Sequence, residues 1–173
     1  MRTVVLIGTD HRYQRASDAD DGDETQFRNT ILEILDRQAI KSIAEEMSKE
    51  ALAHHGAKNS IVELVCTERG IPHQFSDPTN SERLRLEIRQ DSDIRAEHLS
   101  DGSTQEQIEA DVEARGANAS DRVREKYCWH RIQELQKWPI LFICGANHVD
   151  PLVELLTKDG AHAVIAHRDW EPT

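Results

Sequence analysis

The run Pro139-Ile140-Leu141-Phe142-Ile143-Cys144 is the most apolar stretch of the sequence and is closed by Gly145. A strand with one face in water alternates apolar and polar residues, whereas a run that is apolar at every position is covered on both faces. Residues 3–7, Thr3-Val4-Val5-Leu6-Ile7, repeat the pattern and are closed by Gly8. Two such strands predict a parallel or mostly parallel sheet sandwiched between helices, because that is the architecture in which sheet faces are doubly covered.

The intervening segments supply the helices. Phe27, Ile31, Ile34 and Leu35 recur at helical spacing over residues 26–38, which predicts a surface helix with one buried face. Residues 40–46 read as a short second strand. Ser48 is placed to cap a helix running to His55, and residues 60–69 form another, with Ile61, Leu64 and Val65 inward and Gly70 as its stop. Residues 71–77 read as a third strand ended by Asp77-Pro78, followed by a helical stretch over 81–88. A stronger helix over 121–137 carries Val123, Tyr127, Ile132 and Leu135. Residues 149–158 form a helix after the central strand, and 162–166 a last short strand.

Two segments are too polar to join the core. Residues 15–25 hold five acids between Asp18 and Glu24 and read as a solvated loop, a candidate lid. Residues 91–121 are charged and interrupted by glycine, so they read as a peripheral insertion with some helix over 105–114. The expected architecture is therefore one three-layer α/β domain over 1–173 with that insertion within it; at 173 residues and 38% hydrophobic content the chain suits one core.

Charge and composition remove several functions. Twenty-one basic residues against 32 acidic ones give a net charge of −11, which repels a phosphate backbone, so nucleic acid is not an expected partner. No apolar run reaches the roughly 20 residues a bilayer-spanning helix needs, and the first strand begins too early for a signal peptide, so a cytoplasmic protein is expected. Cys66, Cys128 and Cys144 lack C-x-x-C spacing and read as buried thiols. Trp129, Trp138 and Trp170 read as packing residues. The insertion and Trp170 are also candidates to cover a second copy in a homodimer.

The chemistry is expected where strands end. In open parallel sheets, ligands sit beyond the carboxyl ends of the strands, where loops converge. The first strand ends in Gly8-Thr9-Asp10-His11 and the central strand in Gly145-Ala146-Asn147-His148. In each Gly-x-x-His the glycine permits a sharp exit, and the three-residue offset turns the imidazole back over the sheet edge. His148 also opens a helix, whose dipole favours a neutral ring. The second strand delivers Glu45 and Glu46, of which only one can face the site because neighbouring side chains in an extended segment point opposite ways. Both acids also precede a helix, whose N-terminal partial charge they offset. The third strand delivers Asp77. His73, His98, His130, His162 and His167 lack ligand-like spacing.

With these residues in view, the sequence resembles the TraB/Tiki-like proteins, grouped with ChaN-type haem-binding proteins and erythromycin esterases. The resemblance rests on the paired Gly-x-x-His motifs, on "SIAEEMSKEAL", and on "DRVREKYCWHRIQEL" ahead of "PILFICGANHVDPLVELLTKDGAHAV". It covers the two ends of the chain rather than the middle. It implies a metal-assisted hydrolase or a binding site centred on His11, Glu45 or Glu46, and His148, with Arg124 nearby.

Three readings follow. In the first, His11, His148 and Glu45 or Glu46 hold a divalent ion (zinc, manganese, iron or cobalt), whose bound water attacks a small-molecule or peptide substrate. The remaining carboxylate or Asp77 would serve as base, and Arg124 would steady the developing anion. In the second, an esterase-like hydrolase activates water with histidine and carboxylate alone. In the third, the same residues recognise a small molecule without turnover, as a binding or sensor protein.

Overall fold

The computed structural model describes residues 1–16, 22–89, 91–99 and 102–173. Among these residues five strands, β1 (Thr3–Thr9), β2 (Ser42–Glu45), β3 (His73–Phe75), β4 (Ile140–Gly145) and β5 (His162–Trp170), form one sheet in the order β3-β2-β4-β1-β5. Every pairing is parallel. The helices are α1 (Gly22–Arg37), α2 (Lys49–His54), α3 (Ile61–Arg69), α4 (Asn80–Arg85), α5 (Asp91–Glu97), α6 (Gln105–Arg115), α7 (Ala117–Glu134) and α8 (Val149–Lys158). The expected α/β domain with a central sheet flanked by helices is the observed one.

Connection direction decides which helix covers which face. The chain steps one way along the sheet from β1 to β2 to β3, then back from β3 to β4 to β5. Right-handed crossovers therefore put α1 and α3 on one face and α7 and α8 on the other. The core divides accordingly. Val5, Ile7, Ile43, Leu141 and Ile143 pack under Phe27 and Ile31 of α1 and Val62 and Val65 of α3. Val4, Leu6, Ala44, Phe142 and Cys144 pack under Trp129 and Ile132 of α7 and Leu152 and Leu156 of α8. Odd and even positions of β1 thus serve opposite cores, which is why its run is apolar throughout.

Local chemistry sets the helix ends. Oγ of Ser48 accepts from the N–H of Ala51, and Oγ of Ser60 from that of Glu63. Gly70 closes α3 at φ 63°, ψ 32°, a left-handed conformation that glycine adopts without strain.

Several expectations change. Helix α1 begins at Gly22 rather than at 26, with Asp23 and Glu24 in its first turn, where carboxylates favour a helix start. The expected loop over 15–25 thus shrinks, and its residues 17–21 lie outside the described ones. On α3, Leu64 is 46% exposed, while Val62 and Cys66 are buried in its place; Val123 of α7 is exposed as well. The last strand continues to Trp170, whose ring is buried against Phe27 and Tyr13 with Nε1 donating to Thr30 Oγ1 over 3.1 Å. Trp170 thereby belongs to the core of its own chain. The charged segment forms α5 and α6 outside the sheet and sinks Ile94 completely. All three cysteines are free and buried. Among the described residues no helix is long and apolar enough to cross a membrane.

Candidate functional site

The three strand ends that matter are neighbours, because β4 lies between β2 and β1. Backbone pairing locks the end of β2 to β4, with the Glu46 N–H donating to the Ile143 carbonyl over 2.7 Å. Glu46 therefore projects beside Gly145, on the side of Ala44, Arg124 and Cys128. Glu45 takes the parity of Ile43 and turns to the opposite face. There it accepts from Ser60 Oγ and lies 2.7 Å from His73 Nε2. The structure thus separates the two glutamates: Glu46 joins the candidate site and Glu45 does not. His73, which showed no ligand-like spacing, is the partner of Glu45.

Glu46 is the hub. Its Oε2 accepts the Gly145 N–H over 2.9 Å. Its Oε1 accepts from Nη2 of Arg124 and lies 3.2 Å from Nε2 of His148. Arg124 also donates to Asp77 Oδ1 at 3.2 Å and Asp121 Oδ1 at 3.3 Å. The second oxygen of Asp77 takes Nη2 of Arg83 at 2.6 Å. His148 Nδ1 lies 3.1 Å from Glu125 Oε1. His11 stands at the rim with its side chain 44% exposed, its Nε2 3.9 Å from Glu46 Oε2. Of the expected residues, the structure brings together Glu46, His148, Arg124 and Asp77, with His11 at the edge.

These contacts shift the pKa values of the buried groups in opposite directions. Burial alone would raise the pKa of Glu46, but His11, Arg124, His148 and the Gly145 N–H outweigh it and hold the carboxyl below its ordinary value. Burial alone would lower His148, yet the hydrogen bond to Glu125 and the charge of Glu46 raise it. With a carboxylate facing each nitrogen, the ring is biased towards the imidazolium. The helix terminus that favours a neutral ring is opposed here by two carboxylates. Glu45 is raised, its burial exceeding the help of His73 and Ser60.

Both motif glycines are required for close approach rather than for a turn, since neither has a positive φ. A Cβ at Gly8 would stand 2.0 Å from the Arg168 carbonyl oxygen and 2.5 Å from Val149 Cγ2. That carbonyl comes so near because the β1–β5 register shifts between Ile7 and Thr9. At Gly145 a Cβ would meet Asn147 Oδ1 at 2.9 Å and His11 Nε2 at 3.2 Å. Gly145 thus keeps the space in front of His11 clear.

The donor set does not fit a divalent ion in this arrangement. Both nitrogens of His148 face carboxylates, both oxygens of Glu46 are engaged, and a guanidinium already neutralises Glu46. Nε2 of Gln14, fully buried, lies 3.0 Å from Nδ1 of His11, and in the tautomer that accepts from this amide the proton of a neutral ring sits on Nε2, the nitrogen nearest Glu46. A metal ligand needs a lone pair there. Among the described residues no group of three or more His, Cys, Asp and Glu side chains is arranged to hold a metal ion.

Sequence reasoning missed Asp121, Glu125 and Gln14. The first two had a signal: with Arg124 they fall at i, i+3 and i+4 on one face of α7. Gln14 had none beyond its place in the 3-10 turn His11–Gln14. No family model matches the chain, and no curated protein or solved structure matches it either.

Proposed function

We propose that the chain is a hydrolase of a small-molecule or peptide ester or amide, in which His11, backed by Glu46, activates water without a metal ion. The observation that carries this reading is the pairing of a buried, ionised carboxylate with a half-exposed imidazole, 3.9 Å apart, at the carboxyl edge of a parallel sheet. With Nε2–H directed towards Glu46, Nδ1 is the basic nitrogen, and a water that displaces the Gln14 amide reaches it. His11 takes a proton from that water as its oxygen attacks the substrate carbonyl, Glu46 stabilises the imidazolium that forms, and the imidazolium returns the proton to the alcohol or amine that leaves as the tetrahedral intermediate collapses. Arg124 and His148 keep Glu46 ionised, so that it orients the ring rather than taking the proton itself.

The test is a panel of p-nitrophenyl esters and short peptides offered to chelator-treated protein. Turnover of a panel member, reduced by about 10²-fold or more in His11→Ala with unchanged melting temperature, is the expected result. Turnover that appears only on adding zinc, manganese, iron or cobalt returns the site to the metal-assisted reading.

One feature favours a second reading, a non-catalytic binding or sensor protein. Glu46 and His148 are only 2% and 4% exposed at their side chains, and their charges are mutually satisfied, as in a rigid binding floor. Saturable ligand binding without product would establish that alternative.

A further inference from the structure

Beside the 3-10 turn that carries His11, a cleft of about 600 Å³ opens between Arg12–Ala16 on one wall and His55–Asn59 with Leu64 on the other. That volume suits a small molecule. The walls are joined, since the Ala16 N–H donates to the Asn59 carbonyl over 3.2 Å and Arg15 bridges to Ser60. Two cations on these walls, Arg15 and Lys58, have no carboxylate within ion-pairing distance among the described residues, in a chain of net charge −11. Arg12 adds a third, although Asp10 lies 3.7 Å from it. Asp23 and Glu24 at the start of α1 also reach the cleft. Asp18, Asp20 and Asp21 belong to the segment outside the described residues, so this charge balance is that of the described walls.

Two further features share the cleft. His55 lines the cleft, and its pKa is lowered by burial and then by the nearby charges of Arg15 and His54. Leu64, the α3 residue expected inward and found 46% exposed, lies on the cleft wall with Tyr13 and Ala57. Two cations that have no ion-pairing carboxylate among the described residues, set beside apolar surface, are the complement of an anionic molecule with an apolar body.

We infer that this cleft binds a small amphiphilic anion, a carboxylate or phosphate carried on an apolar group, with Arg15 and Lys58 holding the charge and Leu64 the apolar part. Identifying the occupant as the substrate rests on the hydrolase reading, because Arg12 and Tyr13 of the cleft belong to the same turn as His11, which itself is not in the lining. The binding claim itself does not depend on turnover.

The experiment is a titration of the full chain with hexanoate, hexyl phosphate and hexylammonium, read from backbone amide shifts at low ionic strength. Saturable shifts at residues 12–16 and 55–64 with at least one of the two anions, and none with hexylammonium, are expected, and the stronger anion identifies the headgroup. Arg15→Gln/Lys58→Gln should weaken binding about tenfold, and Leu64→Ser by several-fold, with unchanged melting temperatures. No saturation by either anion up to about 20 mM, equal response to hexylammonium, or unchanged affinity in the double variant overturns the inference. Anion binding retained by His11→Ala, together with absent hydrolysis in the wild type, would overturn the catalytic reading alone.

Discussion

The backbone N–H of Gly145 donates to Oε2 of Glu46 over 2.9 Å, tying the end of β4 to the end of β2. Through this bond the central apolar strand fixes the one carboxylate on which Arg124, His148 and His11 converge. A buried charge is tolerated only when paired and hydrogen-bonded, and Glu46 has both forms of support.

Removing that charge should unbalance its partners. Glu46→Gln leaves Arg124 and the His148 imidazolium facing a neutral amide, and a loss of about 3–5 kcal/mol in urea denaturation is expected. Because the groups share one network, Glu46→Gln combined with Arg124→Met should cost less than the sum of the single changes. Strict additivity would show that the ion pair is not energetically coupled.

Stability should depend on pH through three buried groups. His148 has a raised pKa, so its contribution is full below the ordinary value of 6.5 and is lost as pH rises through the raised one. Glu46 is depressed, so its contribution is present above 4.5 and lost as pH falls through the lowered value. Glu45 is raised, and its burial becomes costlier as pH climbs above 4.5. Denaturation measured from pH 4 to 8 should show His148→Gln flattening the alkaline side of the profile and Glu45→Gln doing so from the acid end upward. Unaltered profiles in both variants would contradict these protonation states.

The two motif glycines should differ in tolerance. Gly8→Ala drives a methyl into the Arg168 backbone, which cannot withdraw without breaking the β1–β5 pairing, so little folded protein is expected. Gly145→Ala meets side-chain atoms of Asn147, His11 and His148, which can shift, and about 1–3 kcal/mol is expected. Circular dichroism and melting curves of both variants make the comparison; equal tolerance would reject the close-approach explanation.

The three thiols should be inert in the folded chain. Cys66 is pushed up to about 12 by burial and by the neighbouring Glu45 and Glu63, and burial raises Cys128 and Cys144 well above the ordinary thiol value. Since the thiolate is the reactive form, alkylation by iodoacetamide at pH 8 should follow global unfolding. Fast labelling of any of the three under native conditions would contradict the burial pattern.

The sequence was most legible where one physical requirement dominated. Residues 3–7 and 139–144 had to be doubly covered strands because nothing polar interrupts them, and Val149–Lys158 is the helix expected to follow the central strand. Ser48, Ser60 and Gly70 marked helix ends because capping is local chemistry. The meeting of His148, Asp77 and Arg124 was readable only in outline, from the rule that parallel strands end at a common edge.

What sequence could not decide is which face a residue takes. Glu45 and Glu46 are chemically identical neighbours, and their separate fates follow from α3 covering one side of β2 and α7 the other, an outcome of strand order. Leu64 has an inward helical spacing, yet its orientation depends on how α3 rolls against the sheet. The imidazolium of His148 depends on two carboxylates distant in the chain, one from β2 and one from α7. Periodicity and capping act over a few residues, so the chain alone determined its elements and the edge at which its polar groups gather; burial and charge pairing act through space, so only the tertiary structure decided which of those groups meet.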